Sequence, residues 1–169
     1  MSDVFTQAKR SEVMSRIRGR GNLETELALR RLFRQHGITG WRRHCEVRGT
    51  RGEGRGRKPE CEAGAGSPPS TLSPRTFRVR PDFVFPKLKV AVFVDGCFWH
   101  GCPQHATRPR NNAAFWRKKL AGNKARDRLV TRTLRRAGWR VLRIWEHELA
   151  PKNEARLVGR IQRWLADRC

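Results

Sequence analysis

The chain has 169 residues, with 38 Lys and Arg against 15 Asp and Glu and a formal net charge of +23. Such an excess makes a positive field that draws polyanions, nucleic acid first, and it is too large for a merely well-solvated basic surface. No apolar run approaches the ~20 residues of a spanning helix and no signal peptide opens the chain, so a cytoplasmic protein that does not use a membrane is expected.

The N-terminal arm, residues 1–21, is basic and polar, with Arg10, Arg16, Arg18 and Arg20, and reads as a loose arm or a short helix that orders on a partner. Residues 22–169 are short enough for a single domain with one core. A first helix is expected over residues 23–36. Leu27, Leu29, Leu32 and Phe33 give it an apolar side, Glu24 and Glu26 suit its first turn, and Gly37 can close it. Residues 40–44 suit a first strand carrying Trp41. From 46 to 76 the character changes: ten of 31 residues are Gly or Pro and none is aromatic, so an inserted, disordered loop is expected.

Order resumes in two β-rich runs, 77–85 and 88–95, separated by Pro86 and Lys87, which read as a hairpin. A helix is expected over 112–137, with a bend near Gly122 and an end at Gly138. Residues 139–145 read as a strand, and 153–166 as an amphipathic helix with Leu157, Ile161, Trp164 and Leu165 inward. The sum is a small α/β domain with a mixed central sheet covered by helices.

Chemistry concentrates in Val94-Asp-Gly-Cys-Phe-Trp-His-Gly-Cys-Pro-Gln-His105, which follows the short apolar run 90–94. Five cysteines, at 45, 61, 97, 102 and 169, are odd in number and unevenly spread, which favours metal binding or free thiols over a disulfide framework. Cys97 and Cys102 stand five apart and His105 three further on, and a closed tetrahedral Zn2+ site needs a fourth ligand. His147 supplies it if the strand ending at Trp145 lies beside the one ending at Val94. The bland alternative is two buried thiols and two surface histidines. Cys45 and Cys61 lack a ligand partner nearby and read as incidental thiols.

A second constellation is Arg80-Pro81-Asp82-Phe83-Val84-Phe85 followed by Val92-Phe93-Val94-Asp95. Asp82 opening a hairpin strand, with Asp95 on the adjoining strand, is an arrangement in which metal-dependent nucleases hold Mg2+. A simple strand-start cap is the other reading of Asp82. His100 is not needed for the zinc set and can accept a proton from water at neutral pH, or be a surface histidine. Phe98 and Trp99 could be core residues, but between a metal ligand and a base in a basic protein they suit wedging into a base stack. Trp116, next to Phe115 and before Arg117-Lys118-Lys119, could join them.

Taken together, Arg80-Pro-Asp-Phe-Val84, Gly96-Cys-Phe-Trp-His100, Phe115-Trp116 with Asn123 and Arg126-Asp127, and Gly138-Trp-Arg-Val-Leu142 with Trp145-Glu146 resemble the very-short-patch repair DNA mismatch endonucleases. The likeness runs from about Arg10, Ser11 and Met14 to Leu149, interrupted over 46–76. It implies a restriction-endonuclease-like fold, a monomer, and Mg2+-dependent nicking of double-stranded DNA 5′ to the thymine of a T·G mismatch. By the same resemblance Asp82 ligates Mg2+ and His100 activates the attacking water, with Glu26 and Asp127 supporting metal-bound waters or the base. Phe98, Trp99 and Trp116 form the intercalating platform, and Cys97, Cys102, His105 and His147 hold structural Zn2+. The chain departs from the pattern in three places. Asp95 stands where some members have histidine, and is then an extra Mg2+ ligand candidate. His147 stands where others have cysteine, and the 46–76 insert replaces a short turn. Two rival readings remain: a non-catalytic zinc-stapled DNA-binding module, and a restriction-type endonuclease acting on matched DNA. Asp82 speaks against the first, because a carboxylate near phosphate repels it unless a cation lies between them.

Overall fold

A computed structural model describes residues 25–50, 76–107, 109 and 112–166. The basic arm, Cys61, Cys169 and most of the 46–76 segment lie outside the described residues.

The elements in order are α1 (Glu26–Gln35), β1 (Arg42–Arg43), β2 (Val47–Thr50), β3 (Thr76–Val79), β4 (Phe83–Phe85), β5 (Val90–Asp95), α2 (Ala113–Arg136), β6 (Arg140–Trp145) and α3 (Glu154–Ala166). Four strands form a sheet in the order β1-β4-β5-β6, and β2 and β3 form a separate ladder. Neighbours β1–β4 and β4–β5 are antiparallel while β5–β6 are parallel, so the sheet is mixed as expected.

Strand alternation decides which side chains meet which layer. On one face Phe83, Phe85, Val90, Val92, Leu142 and Ile144 pack with Leu29, Leu32 and Phe33 of α1 and Leu157, Val158 and Ile161 of α3. On the other, Val84, Ala91 and Val141 meet Leu134 of α2 and Val47, Phe77 and Val79 of the β2–β3 ladder. β5 is covered on both sides, which is why it reads as a continuous apolar run rather than an alternating one.

Helix ends follow local chemistry. After α2, Gly138 takes φ +76° and donates to Arg135 O at 3.0 Å, and Trp139 N–H donates to Leu134 O at 2.9 Å. Gly37 does the same after α1, with Ile38 N–H on Phe33 O at 2.8 Å. Both are Schellman closures, and both carry the accompanying apolar contact, since Trp139 and Leu134 share one cluster and Ile38 and Phe33 the other.

Four expectations shift. The run 77–85 is two strands, because Pro81 has no N–H to give a ladder and β3 pairs with β2 instead of continuing into β4. The presumed loop 46–76 is therefore strand at its ends. Residues 40–44 contribute only Arg42 and Arg43 to the sheet, and Trp41 packs against Phe33 and Phe83 while its Nε1–H donates to Ile38 O at 2.8 Å. α2 runs unbroken through Gly122.

Candidate active site, metal centre and aromatic cluster

The parallel pairing of β5 with β6 aligns their ends, Asp95 opposite Trp145. The loop leaving β5 then turns back on itself through His100 N–H on Gly96 O at 3.1 Å and Cys102 N–H on Cys97 O at 2.9 Å. Glu146, just past β6, receives Cys97 N–H on Oε2 at 3.0 Å. This brings Cys97, Cys102, His105 and His147 together, one ligand atom from each lying within 4.8 Å of the others. Cys97 Sγ is 3.2 Å from His147 Nδ1, Cys102 Sγ 3.6 Å from the same atom, and Cys102 Sγ 3.8 Å from His105 Nδ1. A tetrahedron with zinc–sulfur bonds of about 2.3 Å and zinc–nitrogen bonds of about 2.0 Å has edges of roughly 3.3–3.8 Å. These three separations fall at or near that range, and two thiols with two imidazoles are a donor set that could hold a metal ion such as Zn2+. Burial pushes the Cys97 thiol up, and the adjacent Cys102 sulfur adds to this, so a cation is what would hold the Cys97 sulfur as a thiolate.

Asp82 follows Pro81 at the mouth of β4. Its Oδ2 accepts Val94 N–H at 2.7 Å, which fixes the carboxylate against the β5 backbone. Burial, with the nearby charges of Glu26 and Asp95, pushes its carboxyl up to about 6 even though the Val94 bond and His100 pull the other way. A carboxylate so placed among other carboxylates suits a hard divalent cation, whose charge would reverse that balance.

On one side of Asp82 stands Glu26, buried in the first turn of α1, with Arg43 Nη2 at 2.9 Å and His44 Nε2 at 3.1 Å from its Oε2. His44 N–H also donates to Asp82 O at 3.3 Å. On the other side, Asp95 and Arg143 point to the α2 face of the sheet. Arg143 donates through Nε to Asp95 Oδ2 and through Nη2 to Asp95 Oδ1, both at 2.6 Å. The same Nη2 lies 3.0 Å from Asp127 Oδ1 on α2. Asp95, expected as an extra Mg2+ ligand, therefore directs both oxygens at a guanidinium.

His100 completes this network. Its Nδ1 is 2.7 Å from Asp127 Oδ2 and 3.6 Å from Asp95 Oδ1. Burial works against the imidazolium, but the Asp127 bond and the Asp95 charge outweigh it and hold His100 above the ordinary histidine value. Burial likewise opposes the Asp127 carboxylate, and His100 and Arg143 overcome it and hold that group below its usual range. With Nδ1–H given to Asp127, Nε2 is the nitrogen with a lone pair to accept a proton.

The loop residues between the zinc ligands and His100 form the third part. Phe98 and Trp99 meet edge to face with centroids 5.1 Å apart, and Trp116 from the start of α2 lies 5.3 Å from Phe98 and 6.0 Å from Trp99. Asn123 Nδ2 donates to Trp99 O at 2.9 Å and ties the loop to α2. Phe115, beside Trp116 at 5.4 Å, is 58% exposed. All twelve residues expected at the site fall into these three adjoining groups. The sequence reading missed Arg143, Arg43 and His44. Arg143 had a signal: a cation at an inward position of an apolar strand requires a carboxylate partner. Arg43 and His44 had none.

Residues 73–106, which contain Asp82, His100 and the clustered Cys97, Cys102 and His105, match the family model described as DNA mismatch endonuclease Vsr. Over 164 residues the chain is 30% identical to the type II nicking enzyme V.NmeAIP of Neisseria meningitidis serogroup A, covering 96% of this chain and 94% of that one. It is 58% identical over 71 residues to the type II nicking enzyme V.NaeI of Lentzea aerocolonigenes, covering 42% of this chain and 43% of that one. To the DNA mismatch endonuclease Vsr of Escherichia coli K12 it is 34% identical over 90 residues, 51% of this chain and 58% of that one. The chain thus spans about half the length of these last two relatives. The near-complete match and the family segment around Asp82 and His100 agree: the chain belongs to the Vsr family of DNA mismatch endonucleases.

Proposed function

We propose that the protein is a Mg2+-dependent endodeoxyribonuclease with a restriction-endonuclease-like fold, which nicks one strand of double-stranded DNA 5′ to the T of a T·G mismatch. The observation that carries this reading is Asp82 beside His100, the histidine oriented by Asp127, all next to an aromatic cluster on the same loop. A binding module has no use for a buried carboxylate pushed up to about 6 where phosphate must approach. A cation site does.

In this reading Asp82 holds Mg2+, which when bound supplies positive charge to the phosphate being cleaved. His100 Nε2 takes a proton from the attacking water, while Asp127 holds the ring and stabilises the imidazolium that results. Arg143 keeps Asp95 and Asp127 in register on either side of His100, and Glu26 with Arg43 and His44 shapes the opposite wall. Phe98, Trp99 and Trp116 part the base stack, which costs least where pairing is already weak. Cys97, Cys102, His105 and His147 hold Zn2+, which fixes the loop that carries both the base and the wedge. No helix of the described residues is long and apolar enough to cross a membrane. A monomer acting on DNA in the cytoplasm completes the reading.

Purified protein incubated with Mg2+ and labelled T·G, T·A and C·G duplexes tests it. A nick confined to the T strand of the T·G duplex is expected. Equal cleavage of matched DNA would make it a restriction-type enzyme, and tight binding without cleavage would leave a recognition module.

A further inference from the structure

A cleft of about 750 Å3 opens from the candidate metal centre, where Cys102, His105 and His147 line it, and runs along α3 as far as Arg163. Its outer wall is cationic. Lys152 stands just before α3, and Arg156, Arg160 and Arg163 recur at i, i+4 and i+7, so they share one face of the helix. The opposite face buries Leu157, Val158 and Ile161 in the core, so the basic stripe faces the cleft and the solvent. Gln104 and Asn153 add amide donors.

Among the residues lining the cleft there is a single carboxylate, Glu148, and it is engaged. Its Oε2 accepts Trp145 N–H at 2.8 Å and Arg160 Nη2 at 3.0 Å. The Nε of Arg160 is buried without a hydrogen-bond partner. Arg156 and Arg163 are exposed. Four cations against one paired carboxylate in a concave site make a lasting positive potential, and the donors present suit a phosphodiester oxygen rather than an apolar or cationic ligand.

We propose that this cleft binds the phosphate backbone of duplex DNA flanking the lesion. The inference rests on the mismatch-nicking reading for its substrate. The loop that carries Phe98 and Trp99 also carries Cys102, Gln104 and His105 of the cleft lining, so the two surfaces adjoin. A duplex held at the wedge continues past the loop, and its charge needs an electropositive seat there. Such contacts set position and affinity and carry no sequence information.

The test compares full-length wild-type protein with K152Q/R156Q/R163Q, which leaves the Arg160–Glu148 pair intact. Binding to T·G and matched duplexes is measured against salt, together with single-turnover nicking at saturating DNA and zinc content. Each lost phosphate contact lowers the slope of log affinity on log salt by about 0.9, so a fall of roughly 2–3 is expected, with affinity at least about tenfold weaker near physiological salt. Matched and mismatched duplexes should weaken alike, and saturated nicking and zinc content should stay at wild-type levels. A T·G duplex truncated on one side should bind both proteins equally, because the cleft then has no DNA to hold.

An unchanged slope overturns the proposal, as does an equal fall in R31Q/R34Q/K87Q, which removes three exposed charges elsewhere and reads only the general field. Binding of poly-glutamate that is lost in the cleft variant while the DNA slope is unchanged would assign the cleft to an acidic protein segment instead. If the triple variant does not fold, R156Q/R163Q carries the same test, with a fall of about 1–2. Should wild-type protein fail to prefer T·G, the mismatch reading falls while the slope on matched DNA still reads the cleft.

Discussion

Replacing Asp82 by Asn should make the protein more stable and inactive. Burial among Glu26 and Asp95 moves the Asp82 carboxyl from 3.8 to about 6. That is about two units, and at about 1.4 kcal/mol per unit the ionised form costs the folded state up to about 3 kcal/mol at pH 7. An Asn amide oxygen still accepts Val94 N–H, so the substitution removes the charge and keeps the bond. Between the unfolded value and about 6 the folded state binds the extra proton, so the wild-type contribution falls as pH rises through that window. D82N lacks this term. Its advantage should therefore be near zero at pH 4 and full above pH 6, raising the thermal midpoint at pH 7 by up to roughly 6–12 °C for a chain of this size. The assay is thermal unfolding in Mg2+-free buffer with zinc retained, at pH 4.5 and pH 7. Adding Mg2+ should then raise the wild-type midpoint and leave D82N unmoved, since only the carboxylate gains from the cation. A D82N protein no more stable than wild type at pH 7, or equally stabilised at both pH values, would refute the electrostatic account of the site.

His100→Ala should nick T·G duplex at least ~100-fold more slowly with little loss of binding, as expected for a missing general base. Because His100 is held above its ordinary value, single-turnover nicking should rise with pH through a midpoint above 6.5, and Asp127→Asn should move that midpoint down; a profile unchanged by D127N would separate the two residues. Protein purified without added metal should contain about one Zn2+ per chain by elemental analysis. Cys97→Ala should fail to fold, since structural zinc contributes on the order of 10 kcal/mol. Trp99→Ala should lower the preference for T·G over matched duplex in competition binding while leaving metal content intact, and unchanged preference would remove Trp99 from the wedge.

Much of this was legible because local chemistry and long-range packing point the same way. Gly37 and Gly138 stop their helices as their spacing suggested, and the runs 90–94 and 139–145 become β5 and β6, the parallel pair at one side of the sheet. The zinc set needed one tertiary premise, adjacency of the ends of β5 and β6, and parallel pairing provides it. What could not be read is equally physical. Sequence does not say that a β-rich run breaks at Arg80-Pro81 and sends its halves to different ladders, because residues 76–79 look like strand in either pairing. Nor does it show that Arg43 and His44 converge on Glu26, since that contact depends on how α1 lies across β1.

The arrangement of charge explains why a protein with a net charge of +23 gathers four carboxylates at one place. Glu26 is matched by Arg43, with His44 alongside, while Asp95 and Asp127 are matched by Arg143 and His100. Among the described residues the Asp82 carboxylate has the Val94 N–H in direct contact, and it feels two neighbouring acids against the one nearby His100. Three carboxylates are thus neutralised by the protein and serve to hold cationic side chains in place. The fourth is left with charge that burial makes costly. An exogenous cation relieves that cost at the point where phosphate, drawn in by the surrounding basic surface, must arrive. In the proposed function, a Mg2+ requirement and a DNA substrate would be two consequences of one electrostatic design. It follows that removing the neighbouring negative charge, as in Glu26→Gln, should weaken Mg2+ binding at Asp82. Isothermal titration with Mg2+ would measure this, and an unaltered affinity would show that the ion sits elsewhere.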